Sequence, residues 1–240
     1  PEGINELSKV LKKNYRTTFG YGTSMGAFAA ILYAKKLCFK SVLALSPQFT
    51  IDDKHEPRWS EYFKKIDWKF EMKKATSYNG NIFILYDPMN PDIDHVLKFK
   101  KFFKLSNLID IPIKFGSHPV TNYLNDANCL KDLFVRFIKE DKFNIILNNK
   151  NNKTYLQQIS IHLREKGKYK SALICLKKCF EINPENRVSY RIASDINFNL
   201  SRFKDAENMI IKAINSKDAN AQTKENDKIF LEKIKNKLSS

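Results

Sequence analysis

A serine set between two glycines, Gly22-Thr23-Ser24-Met25-Gly26, is the stretch that most narrows what this 240-residue chain can fold into. Ahead of it lies Tyr15-Arg16-Thr17-Thr18-Phe19; behind it, Ala27-Phe28-Ala29-Ala30-Ile31-Leu32-Tyr33-Ala34 is apolar and helix-favouring. G-x-S-x-G between a strand and a helix predicts a sharp turn, in which the serine takes a strained backbone conformation and glycines flank it because side chains would collide there. The hydroxyl of Ser24 is then lifted above a sheet edge. The backbone N–H of Met25 points at the same spot from the helix N-terminus, where unpaired donors and the helix dipole favour a developing negative charge.

The residues that follow alternate as an α/β sheet requires. Apolar runs at Ser41-Val42-Leu43-Ala44-Leu45-Ser46, Asn81-Ile82-Phe83-Ile84-Leu85-Tyr86 and Ile111-Pro112-Ile113-Lys114-Phe115 read as buried parallel strands separated by helical segments. The strand at Asn81 runs into Asp87-Pro88-Met89-Asn90-Pro91-Asp92-Ile93-Asp94-His95, and the next into Gly116-Ser117-His118-Pro119. Serine, acid and histidine therefore each fall just past the carboxyl end of a strand, where open α/β sheets place their reactive groups. That trio suits acyl chemistry: an imidazole must take the proton of a serine hydroxyl as it attacks, and a carboxylate must hold the imidazole in the right tautomer. His55 and His95 lie in charged stretches that read as exposed, and His162 in the helical C-terminal part.

Over roughly residues 4–140 these residues resemble the α/β-hydrolase superfamily of serine esterases, lipases and acyl-transferring relatives, and in particular bacterial hydrolase-like proteins with a strand-end Tyr-Asp-Pro, a late His-Pro and a C-terminal helical repeat region. The resemblance implies that Ser24 is the nucleophile, His118 the general base that later becomes the acid, and Met25 an oxyanion donor. In many family members the acid sits three residues beyond the position of Asp87, where this chain has Asn90. Asp87, Asp92 and Asp94 are the available carboxylates, and Asp87 is favoured because it directly follows the strand. Asp92 and Asp94 would serve equally as charges at a helix N-terminus. Ala27 stands where many relatives have another glycine.

Only 23 residues precede Ser24, and Ile4-Asn5-Glu6-Leu7-Ser8-Lys9-Val10-Leu11 reads as one amphipathic helix. The family has several strands before this point, and the chain opens with Pro1, so the sequence reads as a partial α/β-hydrolase sheet, mostly parallel, whose first strands and second oxyanion donor lie in a part that is not here.

Composition shifts at the polar run Asn148-Asn149-Lys150-Asn151-Asn152-Lys153, which separates residues 1–147, the hydrolase-like domain, from an all-α domain over residues 148–240. Gly167-Lys168-Tyr169-Lys170-Ser171-Ala172 matches Ser201-Arg202-Phe203-Lys204-Asp205-Ala206 at an offset of 34 residues, the tetratricopeptide period. The resemblance to that repeat covers 155–219 and predicts two antiparallel helix pairs, with Ser194 and Asn197 weakening the first helix of the second unit. Phe230, Leu231, Ile234 and Leu238 on a Lys- and Glu-rich segment predict a terminal capping helix. Such arrays present a groove that takes a peptide or protein partner.

The formal net charge of +16 and a pI near 9.6 raise nucleic acid as a partner, but the lysines are scattered among Asn and Ile and no nucleic-acid motif appears, so the reading is against it. Lys64-Lys65 and Lys98-Phe99-Lys100-Lys101-Phe102-Phe103-Lys104 read as solvated helix faces with apolar undersides. Trp59, Trp68 and Phe70 fall where this fold often places a lid or pocket wall. Cys38, Cys129, Cys175 and Cys179 lack metal-ligand spacing and read as reduced thiols of a cytoplasmic protein; no cofactor, metal or membrane span is expected. The leading expectation is a serine hydrolase or acyltransferase acting on an acyl-bearing small molecule or glycan. The alternative is a non-catalytic scaffold working through its helical groove.

Overall fold

The computed structural model describes residues 2–50, 72, 77–103, 107–139 and 149–239. The chain divides into two compact units, Pro1–Ile146 and Leu147–Ser240.

The first unit is α/β. Its four strands, β1 (Thr18–Thr23), β2 (Phe39–Leu45), β3 (Asn81–Tyr86) and β4 (Leu108–Pro112), are all parallel and lie in the order β1-β2-β3-β4. Chain direction is therefore shared, and every strand delivers its carboxyl end to the same edge. Helix α1 (Glu2–Asn14) precedes the sheet, α2 (Met25–Tyr33) follows β1 directly, and α3 (Asp92–Phe102) follows β3. Two helices, α4 (Thr121–Asp126) and α5 (Leu130–Lys139), come after β4.

The near-continuous apolar sequences of β2 and β3 are explained by burial on both faces. Val42, Ala44, Ile82 and Ile84 pack with Ala27 and Ile31 of α2 and Val96 and Phe99 of α3. On the opposite face Phe19 and Phe83 meet Phe137 of α5 edge to face, with ring centroids 5.4 and 5.9 Å apart. The lysines of α3 divide as an amphipathic helix requires: Phe99 is buried, while Lys100 pairs with Asp110 at 2.9 Å.

Two expectations need correction. Strand β4 ends at Pro112, earlier than the predicted run 111–115, because the last rung is Ile113 N–H donating to Tyr86 O and the chain then turns through Gly116 N–H donating to Ile113 O. In α1 the apolar positions Leu7 and Val10 are exposed; the helix is tied down instead by Ser8, whose Oγ donates to Lys36 O at 2.7 Å.

The second unit, as far as described, is helical: α6 (Lys153–Glu165), α7 (Tyr169–Ile182), α8 (Arg187–Asn199), α9 (Phe203–Ile214) and α10 (Ala221–Leu238). Its hydrogen bonds recur every 34 residues. Asn152, Asn186 and Asn220 cap α6, α8 and α10, each side chain accepting from the N–H three residues on. Ser160 Oγ donates to Ala172 O, and Ser194 Oγ donates to Ala206 O. The left-handed residues Gly167 and Ser201 end α6 and α8 in the same register. Ser194 and Asn197 are both buried and bond backbone carbonyls, Ser194 reaching Ala206 O of α9 and Asn197 the carbonyl of Ala193 one turn back in α8. In α10, Ile234 is buried and Phe230 and Leu231 pack beside it, but Leu238 is exposed.

The charged centre of this unit is Asp227, which is 1 % exposed and accepts from Arg187 Nη2 at 2.7 Å with Arg191 Nε at 3.3 Å. Asp227→Ala would leave the largely buried Arg187 without its counter-ion, while Arg191 keeps Asp195 at 2.8 Å. The expected cost is roughly 3–5 kcal/mol, read as a lowered urea midpoint for loss of the helical signal; a change below about 1 kcal/mol would make the pair a surface-like contact.

Candidate active site

The turn between β1 and α2 fixes the first residue of the site. Ser24 has φ 51° and ψ −121°, a strained setting for a residue with a Cβ, and its N–H donates to Leu45 O at 2.9 Å. It occupies the N-cap position of α2 yet makes no side-chain cap bond. Its Oγ turns away from the helix, toward His118 Nε2 at 3.1 Å.

The glycines on either side of Ser24 differ in purpose. A Cβ on Gly22 would lie 2.3 Å from the backbone C and O of Gly26 and 2.5 Å from Ala27 N, so strand and helix backbones touch there. A Cβ on Gly26 would meet nothing within 4 Å, so only Gly22 is sterically obligatory. Gly22→Ala is expected to destabilise by about 1–3 kcal/mol through overpacking. Gly26→Ala is expected to be neutral or to stabilise by about 0.5–1 kcal/mol, as glycine in a helix usually does. Thermal denaturation of the two variants checks the contrast.

His118 sits in the loop after β4, and the carboxylate against it is Asp92. Nδ1 lies 2.8 Å from Oδ1 and 2.9 Å from Oδ2 of Asp92, whose side chain is 1 % exposed. Asp92 is the first residue of α3, and its own N–H donates to Asn90 Oδ1 at 2.9 Å. Asp94, two residues further along the helix, is exposed.

Asp87, the favoured acid, does not orient His118. Its Oδ1 accepts from Met89 N–H at 2.9 Å and Phe115 N–H at 3.0 Å, and its Oδ2 from Ser117 N–H at 2.9 Å. Burial pushes its carboxyl above the usual range, while those three donors pull it back down. The physical reason for the exchange of roles is reach. A carboxylate at the very end of β3 is used up closing the β3 and β4 loops, and the chain needs the turn through Pro88 to Pro91 before a second one can face the imidazole. Phe115 and Ser117 both have positive φ, 62° and 68°, so Asp87 holds a strained loop whose next residue is His118. Asp87→Ala would remove the acceptor of three N–H groups, of which the bond to Phe115 is buried, and is expected to cost about 1–3 kcal/mol of stability. A urea midpoint close to the parent's would contradict this role.

One further side chain beside Ser24 was not singled out in the sequence, and a second, His95, was misread there. Gln48, wholly buried just past β2, has Oε1 placed 3.4 Å from Ser24 Oγ, while its Nε2 is buried without a partner among the described residues. His95, expected to be exposed, is 2 % exposed, and its Nδ1 accepts from Phe49 N–H at 3.0 Å. Thr23 and Thr121 hydroxyls meet at 3.0 Å and tie the turn to α4. His55, Lys64, Lys65, Trp59, Trp68 and Phe70 lie outside the described residues. Among the described residues no cluster of His, Cys, Asp and Glu could hold a metal ion, and no helix is long and apolar enough to cross a membrane.

No protein-family model matches the chain, and no curated protein sequence matches it. Among solved structures, an uncharacterised protein from Capnocytophaga ochracea DSM 7271 aligns over 98 % of this chain and 74 % of its own, at 12 % identity and a TM-score of 0.31.

Proposed function

We propose that the first unit is a serine hydrolase or acyltransferase of α/β-hydrolase type, acting on an ester, thioester or similar acyl bond. The observation that carries this reading is the unbroken line from Ser24 Oγ to His118 Nε2 at 3.1 Å and from His118 Nδ1 to Asp92 at 2.8 Å. A carboxylate with both oxygens on Nδ1 keeps a proton there and leaves the Nε2 lone pair facing the serine.

The chemistry follows from that tautomer. As Ser24 Oγ bonds the acyl carbon, its proton passes to Nε2, and Asp92 stabilises the imidazolium that forms. The carbonyl electron pair moves onto oxygen, and Met25, whose N–H is the first of α2, supplies the backbone donor in this reading. His118 then returns the proton to the departing group. Water or an acceptor hydroxyl releases the acyl group by the reverse sequence. The substrate class is an acyl-bearing small molecule or glycan.

In the second unit the caps at Asn152, Asn186 and Asn220 and the paired Ser160 and Ser194 bonds support a tetratricopeptide-like array with α10 as the first helix of a third unit. Its groove is the natural place for a peptide or protein partner.

A fluorophosphonate probe tests the site. The parent protein is expected to be labelled and Ser24→Ala to be silent. Asp92→Asn favours the wrong imidazole tautomer and is expected to slow labelling by as much as roughly 10⁴-fold, with little change in melting temperature. Labelling that survives in Ser24→Ala, or a parent protein that resists the probe, would reject the assignment.

A further inference from the structure

We infer that Gln48 is the side-chain donor of the oxyanion hole, its carboxamide N–H stabilising the negative oxygen that forms when Ser24 attacks. This rests on the reading of Ser24 as a nucleophile. It goes beyond that reading by assigning a reactive-centre contact to a residue outside the Ser24, His118 and Asp92 line.

The argument begins with a proton count. Ser24 has one O–H, and Asp92 on Nδ1 of His118 makes Nε2 the acceptor that takes it. The Gln48 amide therefore faces only lone pairs on Ser24 Oγ, 3.4 Å away. An amide oxygen turned there would set acceptor against acceptor. Since the two ends of a carboxamide have the same shape, the orientation that satisfies the pair puts the NH₂ toward Ser24.

The second step concerns what the amide lacks. With the NH₂ turned toward Ser24, the end of this wholly buried carboxamide that has no partner among the described residues is its oxygen. That oxygen is an acceptor and cannot meet an oxyanion, so the donor the adduct uses is the NH₂ already beside Ser24 Oγ. In the tetrahedral adduct the substrate oxygen is separated from Ser24 Oγ by a single carbon, which brings it within reach of a donor that already lies beside Oγ. The C=O electron pair goes to that oxygen, the proton to His118, and the Gln48 N–H and Met25 N–H meet the charge; collapse of the adduct restores the carbonyl and releases both donors. A donor held dry and fixed before the charge appears needs no reorganisation.

Gln48 is held in that way. Ser46 N–H donates to Leu85 O at 2.7 Å, and Ser46 Oγ accepts from Val120 N–H at 3.1 Å. On the other side, Phe49 N–H donates to His95 Nδ1, and the Phe49 ring packs on Phe99 and Phe102 at centroid distances of 5.2 and 5.1 Å. With Pro47 limiting φ between these anchors, the side chain is positioned by backbone contacts on both flanks.

The test compares fluorophosphonate labelling rates and melting temperatures of the intact parent protein, Ser24→Ala, Gln48→Met and Gln48→Glu. Gln48→Met keeps the shape and removes the orphaned amide, so its melting temperature should equal or exceed the parent's while labelling slows by roughly 10²–10³-fold. Gln48→Glu cannot donate when ionised and should slow labelling at least as much, which covers the case in which the Met variant folds poorly. The pH dependence of labelling should keep the parent's midpoint in Gln48→Met, because the His118 and Asp92 pair is untouched; a shifted midpoint would mean that Gln48 only positions the histidine. A Gln48→Met rate within about threefold of the parent, alongside a silent Ser24→Ala, would overturn the inference and leave the serine assignment standing. A parent protein that resists the probe would overturn both.

Discussion

The backbone of β1 touches the backbone of α2 at Gly22, and the geometry of the candidate site depends on that contact. A Cβ there would fall 2.3 Å from the carbonyl of Gly26, so the helix lies on the strand at a distance only glycine permits. With so little room, the chain must reverse within one residue, and that residue is Ser24 at φ 51°. The strain has a direct chemical consequence. It aims Oγ at the loop from β4 rather than at the N–H groups of its own helix, where Ala27 and Phe28 N–H donate to Ser24 O.

The loop that Ser24 faces is shaped by two aspartates five positions apart in the sequence. Asp87 spends its carboxylate on three backbone N–H groups and so binds the end of β3 to the strained residues Phe115 and Ser117. Asp92 is the one that meets His118. One acid holds the loop and the other holds the ring. Their similar settings, both buried and both beside the same histidine loop, explain why position in the sequence alone ranks them wrongly: the distinguishing quantity is how many N–H groups converge on each, and two of Asp87's three donors come from residues 28 and 30 places away.

The legible part of this chain was the part written in local patterns. Alternating apolar runs gave the parallel strands, because burial on both faces leaves few polar residues in Val42–Leu45 and Ile82–Leu85. The G-x-S-x-G spacing announced the turn at Ser24, and two strand ends brought Asp87 and His118 into view. What could not be read is non-local. Gln48 looks like any polar residue after a strand, and only the parallel pairing of β1 with β2 carries it to Ser24. His95 sits among charged residues in sequence, yet α3 turns it inward to hold Phe49. The end of β4 was misplaced because an apolar run says where burial is useful, whereas the strand stops where Asp87 draws the Phe115 amide out of the ladder.

The second unit shows the opposite case, a signal that was local and periodic but carried by polar residues. Tyr169 with Phe203 and Ala172 with Ala206 mark the 34-residue offset through side chains that fill space, and they lead only to α9. The asparagines at 152, 186 and 220 mark the same offset through helix caps and extend it to α10. A cap stops a helix from starting one residue early or late, so evenly spaced caps fix the register in which successive helices present their faces. Asn186 does more: its Oδ1 accepts from Ser189 N–H and from Gln157 Nε2 of α6. The same oxygen that starts α8 therefore sets its position against α6, and the period of the caps becomes the period of the packing. A polar residue can specify a repeat as firmly as an apolar one when its bond is buried, because the cost of leaving that bond unmade falls on every misregistered arrangement.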